Sequence, residues 1–472
     1  MSAPPAVATS PKLGFTTQER EVELDELELT GEIPSWLTGS LLRTGPSRFE
    51  VGERSMRHWF DGLAMLHRFT VQGGHVSYGS RFLEGRTSSA AREGRIAYRE
   101  FATDPCRSLF KRVQTLFAPG FSDNANVNVM RLGERFVAMT ETPIPVQFDR
   151  RTLRSAGVAY EPPGELTTAH PHLDRTTGGM INYAAKLGPR NSYRFFQLGP
   201  DAVEPRLIST MPVREPAYMH SFGQTERWLV LAEFPFVVNP LSLALSGRPY
   251  IENYRWKPER GTVVTLVDRN TGAPAHRFQT EACFSFHHVN AFERGGEVIV
   301  DMCAYPDASV ISDLYLDRLR AGGSISPAQL TRYRLRPADG TLRTQALADT
   351  DVELPRINYR RCHERPYRYV WGNGQGASGW LERIVKIDTD DGTSLSWSRE
   401  GCYPGEPVFV AAPDAREEDD GVLLSVVLDA AAAHSFLLVL DAADLTELAR
   451  AQVPHHIPFS FHGQFAGHPA EA

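Results

Sequence analysis

The sequence predicts an all-β protein built from small antiparallel sheets that repeat around a common axis. From Leu42 onward the chain consists of short apolar runs, such as Trp228–Ala232 and Phe436–Leu440, bounded by Gly, Pro, Asn and Asp. Runs of this length between turn residues are typical of β-strands. The 33 prolines and 38 glycines spread along the chain leave few places for a long helix.

A recurring turn favours repeated hairpins over other β architectures. A strand that ends in Asp, followed by a short turn and a second strand, occurs at Asp149, Asp174, Asp268, Asp388 and Asp441. An Asp side chain can accept a hydrogen bond from the backbone two residues later and so close a tight turn. Hairpins without helical crossovers indicate radially arranged four-stranded blades, although the same turn also occurs in other β proteins.

The chain has no internal linker or shift in composition. We therefore expect a flexible N-terminal tail over residues 1–14 and a single domain over residues 15–472. Three segments could form helices within this domain: Pro105–Phe117, Leu314–Ala321 and Pro327–Tyr333.

Charge and cysteine content restrict the class of protein. A formal net charge of −7 argues against nucleic acid as a partner. Five cysteines, an odd number without CxxC spacing, favour free thiols in a reducing cytoplasm over a disulfide framework. No run approaches the roughly 18 apolar residues of a membrane-spanning helix. We expect a cytoplasmic protein that at most touches a membrane.

Four histidines are the candidate metal ligands. His170, His220, His287 and His462 each lie at or beside the end of an apolar run, among small or aromatic neighbours. They are far apart in sequence, so a shared site requires inner strands to converge, as they do at a propeller axis. Four neutral imidazoles would suit iron, copper, nickel or zinc, and the residues alone leave this choice open.

Glutamates close to prolines are candidate partners for these histidines. A metal-bound imidazole commonly donates its second N–H to a carboxylate, which fixes its tautomer and orientation. Five glutamates have the required setting, and the sequence alone does not select among them: Glu141, Glu215, Glu233, Glu353 and Glu406.

From about Gly39 to Phe465 the chain resembles the carotenoid cleavage oxygenase family. The segments that carry the resemblance include Arg43–Pro46, His58–Phe69, Asp123–Val129, Thr140–Thr142, Ala169–His172, His220–Gly223, Phe286–Glu293, Glu353–Tyr359, Glu406–Phe409, Glu417–Ser425 and Phe461–Gly463. The resemblance implies a seven-bladed β-propeller with a dome of loops and helices over an iron site.

The resemblance also assigns roles at this site. It implies one Fe(II) per chain on His170, His220, His287 and His462, with His172 and His288 as neighbours that do not bind it. It selects Glu141, Glu353 and Glu406 as the hydrogen-bonding partners of three ligands. Val127 matches the residue that shields the sixth position of the iron, where many members have Thr.

The implied reaction is cleavage of a C=C bond of a carotenoid or apocarotenoid by O2, which yields aldehyde or ketone products. No catalytic side chain is required beyond the metal centre, and the expected wall of the polyene tunnel comprises Phe60, Tyr218, Phe286 and Tyr305. Alternatives are a retinoid isomerohydrolase-like or stilbenoid-cleaving enzyme of the same fold, and a non-catalytic binding propeller.

The segment Thr103–Ala118 has an amphipathic pattern. Its apolar side chains fall on about a third of a helical wheel: Leu109, Phe110, Val113, Leu116 and Phe117. A packed surface helix would have the same pattern, but the resemblance places this segment at the tunnel mouth and implies peripheral membrane contact.

Overall fold

Seven antiparallel sheets form the seven blades of a β-propeller, which confirms the predicted fold class. The computed structural model describes residues 10–105, 120–188 and 190–467. Blade 1 joins strands from both ends of the chain: Val22–Leu24, Gly39–Arg48, Leu63–Gln72, His75–Phe82 and Gly463–Gly467. Blade 2 contains Asn128–Leu132, Arg135–Met139, Val146–Phe148 and Ser155–Val158.

The next three blades follow in chain order. Blade 3 contains Leu166–Thr167, His172–Leu173, Met180–Lys186, Ser192–Leu198 and Arg206–Pro212. Blade 4 contains Gly223–Gln224, Trp228–Glu233, Thr262–Asp268 and Pro274–Thr280. Blade 5 contains Phe284–Arg294, Glu297–Tyr305, Gln329–Arg336 and Thr341–Asp351.

Blades 6 and 7 complete the ring. Blade 6 contains Glu353–Arg356, Tyr369–Gln375, Leu381–Asp388 and Ser394–Ser398. Blade 7 contains Glu28–Gly31, Cys402–Pro404, Val408–Ala411, Gly421–Asp429, His434–Asp441 and Glu447–Val453. Because an N-terminal strand pairs with a C-terminal strand in both blade 1 and blade 7, the ring is closed by backbone hydrogen bonds.

Short helices and ribbons connect the strands. The α-helices span Arg86–Arg92, Pro240–Leu245, Ser309–Asp313, Leu316–Ala321 and Tyr359–Cys362. The 3-10 helices span Pro11–Phe15, Trp59–Asp61, Ile251–Asn253 and Pro258–Arg260. Two ribbons pair Glu50–Val51 with Arg54–Ser55 and Phe236–Val238 with Tyr254–Trp256. Several of these connections supply walls of the central cavity described below.

The Asp turns form as predicted. In all five, the carboxylate accepts a hydrogen bond from the backbone N–H two residues later, at distances from 2.7 Å at Asp441 to 3.1 Å at Asp149 and Asp174. Each turn therefore closes locally and sends the chain back along its own blade.

The prediction of a helix over Pro327–Tyr333 is wrong. Residues Leu316–Ala321 are helical, but Pro327–Tyr333 overlaps the strand Gln329–Arg336. This strand pairs with Glu297–Tyr305 on one side and with Thr341–Asp351 on the other. Pairing on both sides outweighs local helical tendency, because it satisfies the backbone groups within a buried sheet.

The N-terminal residues pack against the propeller from Pro11 onward. The buried ring of Phe15 contacts Trp59, Trp380 and Phe459. The predicted boundary after residue 14 therefore falls inside the helix Pro11–Phe15.

The amphipathic residues Leu109, Phe110, Val113, Leu116 and Phe117 lie outside the described part of the chain. Across residues 10–105, 120–188 and 190–467, no helix has both the length and the apolar character needed to cross a bilayer.

Candidate metal centre

The four predicted histidines meet at the inner strands of four blades. His170 lies between the two short strands of blade 3, and His220 precedes the first strand of blade 4. His287 belongs to the first strand of blade 5, and His462 immediately precedes the last strand of blade 1. One ring nitrogen from each histidine lies within 4.8 Å of the corresponding atoms of the other three. The cluster can therefore hold a single metal ion.

Three of the histidines donate their second ring N–H to a carboxylate. The Nδ1 atoms of His220, His287 and His462 lie 2.7 Å, 2.5 Å and 2.7 Å from oxygens of Glu141, Glu353 and Glu406, respectively. A carboxylate only accepts, so each Nδ1 carries the proton and each Nε2 presents a lone pair to the centre. No carboxylate pairs with His170 among the residues that the structure describes.

Each of the seven blades contributes one residue to this arrangement. The histidines come from blades 1, 3, 4 and 5. The glutamates come from the remaining three, because Glu141 follows the second strand of blade 2, Glu353 begins blade 6, and Glu406 lies between the first two inner strands of blade 7. The inner strand ends of the ring thus converge on one point from every direction.

The arrangement of the Nε2 atoms fits a cation at the centre. The Nε2 atoms of His287 and His462 are 3.1 Å apart, and both imidazoles donate through Nδ1. Two lone pairs that face each other at this distance repel unless a positive ion lies between them. Burial lowers the pKa of His462 to about 4 and that of His170 well below its usual value. These two imidazoles are therefore neutral at pH 7, as metal ligands must be.

Glu406 is held by two arginines that sequence reasoning missed. Arg356 forms a bidentate pair with it at 2.8 Å and 2.9 Å, and the fully buried Arg43 approaches it at 3.7 Å. Burial raises the pKa of Glu406, but Arg356, His462 and Arg43 outweigh burial and hold it well below its usual range. Both arginines lie in segments that carry the family resemblance, yet spacing gave no signal for this role.

Glu141 and Glu353 are held by tyrosines instead. The hydroxyl of Tyr218 donates to Glu141 at 2.6 Å, and the hydroxyl of Tyr305 donates to Glu353 at 2.9 Å. Burial raises the pKa of Glu353, yet the nearby His287 and its hydrogen bonds keep the net shift downward. Each of the three glutamates therefore accepts at least one further hydrogen bond besides the one from its histidine.

A large and mostly apolar cavity opens onto the histidine cluster. Its volume is about 790 Å3, and its wall includes Val127, Phe60, Phe286, Tyr305, His220, His287 and His462. The ring of Phe60 packs edge-on against Phe286 and Phe461, with centroids 5.9 Å and 5.0 Å apart. Three of the four histidines thus face a space suited to a long apolar molecule.

Tyr218 lies behind this wall rather than on it. Its ring is 1% exposed and packs against Phe101, Phe236 and Phe284, while its hydroxyl contacts Glu141. Tyr218 is predicted as a tunnel residue from its position relative to the family motifs. The structure instead uses it to orient a glutamate.

The two neighbouring histidines point away from the cluster. His172 contacts the carbonyl of Phe222 at 2.8 Å and stacks on His363, with centroids 5.0 Å apart. His288 contacts the hydroxyl of Ser221 at 2.9 Å. Neither belongs to the group of four that can share a metal.

Comparison with known proteins gives matches over nearly the whole chain. The sequence model of the family described as retinal pigment epithelial membrane protein (RPE65) matches residues 15–467. The carotenoid isomerooxygenase of Galleria mellonella is 36% identical over 95% of this chain and 94% of its own length. The human beta,beta-carotene 15,15'-dioxygenase is 33% identical over 95% and 93%, respectively.

Solved structures extend the similarity to three dimensions. A chimera of the apocarotenoid oxygenase ACO and RPE65 superposes with a TM-score of 0.86 at 29% identity, covering 97% of this chain and 99% of the chimera. The cobalt-substituted ACO of Synechocystis gives a TM-score of 0.86 at 28% identity, with the same coverage of both chains. The predicted resemblance is confirmed: the chain belongs to the RPE65 and carotenoid oxygenase family.

Proposed function

We propose that this protein is a non-haem Fe(II) dioxygenase that cleaves a C=C bond of a carotenoid or apocarotenoid to give aldehyde or ketone products. The observation that carries the proposal is the opening of a large apolar cavity onto a cluster of four converging histidines, three of which line the cavity. The 33% sequence identity between this chain and the human beta,beta-carotene 15,15'-dioxygenase supports the same reaction class. The family favours iron over the copper, nickel or zinc that the imidazoles would also accept.

In this proposal the histidines bind iron and the glutamates orient them. When bound, Fe(II) supplies the activation of O2. Four neutral imidazoles would leave the positive charge of the ion uncompensated. The carboxylates of Glu141, Glu353 and Glu406, which are hydrogen-bonded to three of these imidazoles, would offset it. Exclusion of water and positioning of the polyene remain the tasks of the cavity wall.

Val127 is proposed to shield one side of the metal site. Its side chain lines the cavity, and its carbonyl accepts a hydrogen bond from the backbone N–H of His462 at 3.1 Å. A valine in this place presents methyl groups and no hydroxyl to the site. Water would therefore find no hydrogen-bonding partner on this side chain.

We further propose that the protein is cytoplasmic and touches membranes peripherally. This proposal rests on the amphipathic sequence of Thr103–Ala118, whose apolar positions are Leu109, Phe110, Val113, Leu116 and Phe117. A polyene dissolves in the bilayer, so contact with its surface would shorten the path of the substrate to the cavity.

Labelled oxygen tests the reaction class. Protein loaded anaerobically with Fe(II) is incubated under 18O2 with β-carotene or a β-apocarotenal, and in parallel reactions with a retinyl ester or a stilbenoid. The products are analysed by mass spectrometry. We expect labelled aldehydes or ketones, and their lengths identify the scissile bond. Unlabelled retinol from a retinyl ester would instead favour the isomerohydrolase reaction. Cleavage of stilbenoids alone would favour that branch, and binding without conversion of any of them would favour a binding protein.

A substitution of Tyr305 tests whether the hydrogen bond to Glu353 contributes to metal binding. Tyr305→Phe removes one hydrogen bond to Glu353 but keeps the ring on the cavity wall. Because one such bond contributes about 1 kcal/mol, we expect Fe(II) affinity to fall about fivefold. Equilibrium metal titration measures the change. Tyr333→Phe is the control, since its hydroxyl contacts Cys283 at 3.4 Å and no glutamate of the centre. Equal effects of both variants would contradict the role of Tyr305.

A further inference from the structure

Glu100 places a carboxyl group on the wall of the otherwise apolar cavity. The residues around it on this wall include Phe60, Phe101, Phe121 and Leu243. The adjacent Arg99 does not neutralise Glu100, because its guanidinium pairs with Asp104 at 2.9 Å. No ion pair involves Glu100 in the part of the chain that the structure describes. An unpaired carboxylate in apolar surroundings is energetically costly, so the carboxyl group of Glu100 must be hydrogen-bonded or protonated.

The carboxyl of Glu100 accepts a hydrogen bond from Ser122. The hydroxyl of Ser122 donates to Oε1 of Glu100 at 2.7 Å. Ser122 has only one proton to give, and its oxygen is also 3.2 Å from the backbone N–H of Asn124 and 3.2 Å from the hydroxyl of Thr87. The amide of Asn124 is engaged elsewhere, because its nitrogen donates to the carbonyls of Gly62 at 3.0 Å and Asp61 at 3.4 Å and its oxygen accepts from the backbone N–H of Ala64.

The surroundings keep Glu100 protonated. Burial, together with the nearby carboxylates of Asp61 and Asp123, raises the pKa of Glu100 to about 8 against the opposing effect of Ser122 and Asn124. At pH 7 the side chain is therefore mainly a neutral acid with a proton of its own. Ser122 contacts only Oε1, so the proton can lie on the other carboxyl oxygen and is available to an acceptor in the cavity, whose wall includes Glu100.

We propose that Glu100 is a specificity-determining residue that donates a hydrogen bond to an oxygen atom at one end of the bound polyene. The substrate class is then an apocarotenoid with a terminal carbonyl or hydroxyl group, favoured over a hydrocarbon carotene of the same length. This inference deepens the proposed function and rests on it. The apolar remainder of the wall contacts the polyene chain, and Glu100 binds its oxygenated end through a hydrogen bond.

Binding without turnover tests the proposal. Fe(II)-loaded protein is titrated under anaerobic conditions with a β-apocarotenal and with the hydrocarbon that carries CH3 in place of CHO. Trp59 and Trp380 line the cavity, so quenching of their fluorescence reports binding of both probes. We expect Glu100→Leu to reduce the preference for the aldehyde about tenfold. Glu100→Gln keeps an N–H donor and should retain most of the preference.

Two controls separate recognition from a structural role. Glu165 lines the same cavity, but its carboxylate accepts the backbone N–H of Leu187, so Glu165→Gln should leave the preference unchanged. In the unmodified protein the preference should fall between about pH 7 and about pH 9, as Glu100 loses its proton, and it should stay constant in Glu100→Gln. The other carboxyls nearest to Glu100 are Asp61 and Asp123, which remain the same in both proteins.

Two results would overturn the proposal. One is an unchanged preference in Glu100→Leu, and the other is an equal loss of affinity for both probes. Neither result bears on the cleavage reaction, because the labelled-oxygen experiment on the unmodified protein decides that independently.

Discussion

Replacing His287 with alanine should yield a folded propeller that retains little metal and cleaves no polyene. The variant removes one of four nitrogens that meet within 4.8 Å, and it leaves Glu353 without its imidazole partner. Loss of a group beyond the direct ligands typically weakens metal binding by about 10–100-fold, so loss of a ligand should exceed this range. Iron content by atomic absorption and product formation with labelled O2 measure the two effects.

His288→Ala is the matched control. His288 is adjacent in the chain, but it contacts Ser221 and takes no part in the group of four. We expect this variant to bind about one iron per chain, like the unmodified protein. If His288→Ala lost iron to the same extent as His287→Ala, or if His287→Ala bound iron normally, the assignment of the metal centre would be wrong.

Replacing Glu406 with glutamine should produce the largest loss of stability among the three glutamates. The substitution removes the charge that balances Arg43, a side chain that is only 1% exposed, and it also disrupts the bidentate pair with Arg356. Removal of one partner from a buried ion pair costs about 3–5 kcal/mol, because the remaining charge stays desolvated. Denaturant unfolding of the metal-free proteins measures this free energy without interference from metal binding.

Glu353→Gln is the comparison for this experiment. Its partners besides His287 are the hydroxyl of Tyr305 and the backbone N–H of Leu354, both uncharged. We expect a cost of about 1–3 kcal/mol, while both variants weaken iron binding by about 10–100-fold. Equal losses of stability would mean that the arginines do not depend on Glu406.

The dependence on pH follows from the direction of the pKa shift. The pKa of Glu406 is lower in the folded protein than the ordinary value of 4.5, so its pairing with Arg43 and Arg356 stabilises the fold at neutral pH. This contribution declines only as the pH falls below about 4.5. The difference in stability between the unmodified protein and Glu406→Gln should therefore narrow in acid.

Local sequence determined the repeated hairpin. Asp149, Asp174, Asp268, Asp388 and Asp441 close their turns through contacts only two residues long, so these turns could be predicted without knowledge of the rest of the molecule. The four histidines were also identifiable, because they end apolar runs and share neutral surroundings. The family resemblance supplied the number of blades and the proposal that the metal is iron.

The residues alone left the choice of glutamates open and the family resemblance made it, whereas the tertiary structure gives the physical reason and shows which groups hold them. Glu141 and Glu215 both precede a proline closely, yet Glu215 pairs with Lys257 and Arg260 away from the histidines. The difference arises from the position of each residue on its blade, which depends on strand register around the whole ring. The same register brings Arg43 to Glu406 across more than 360 residues and turns Tyr218 from the cavity towards Glu141. Contacts of this kind leave no local pattern, because the partners are set by the closure of the propeller and not by neighbours in the chain.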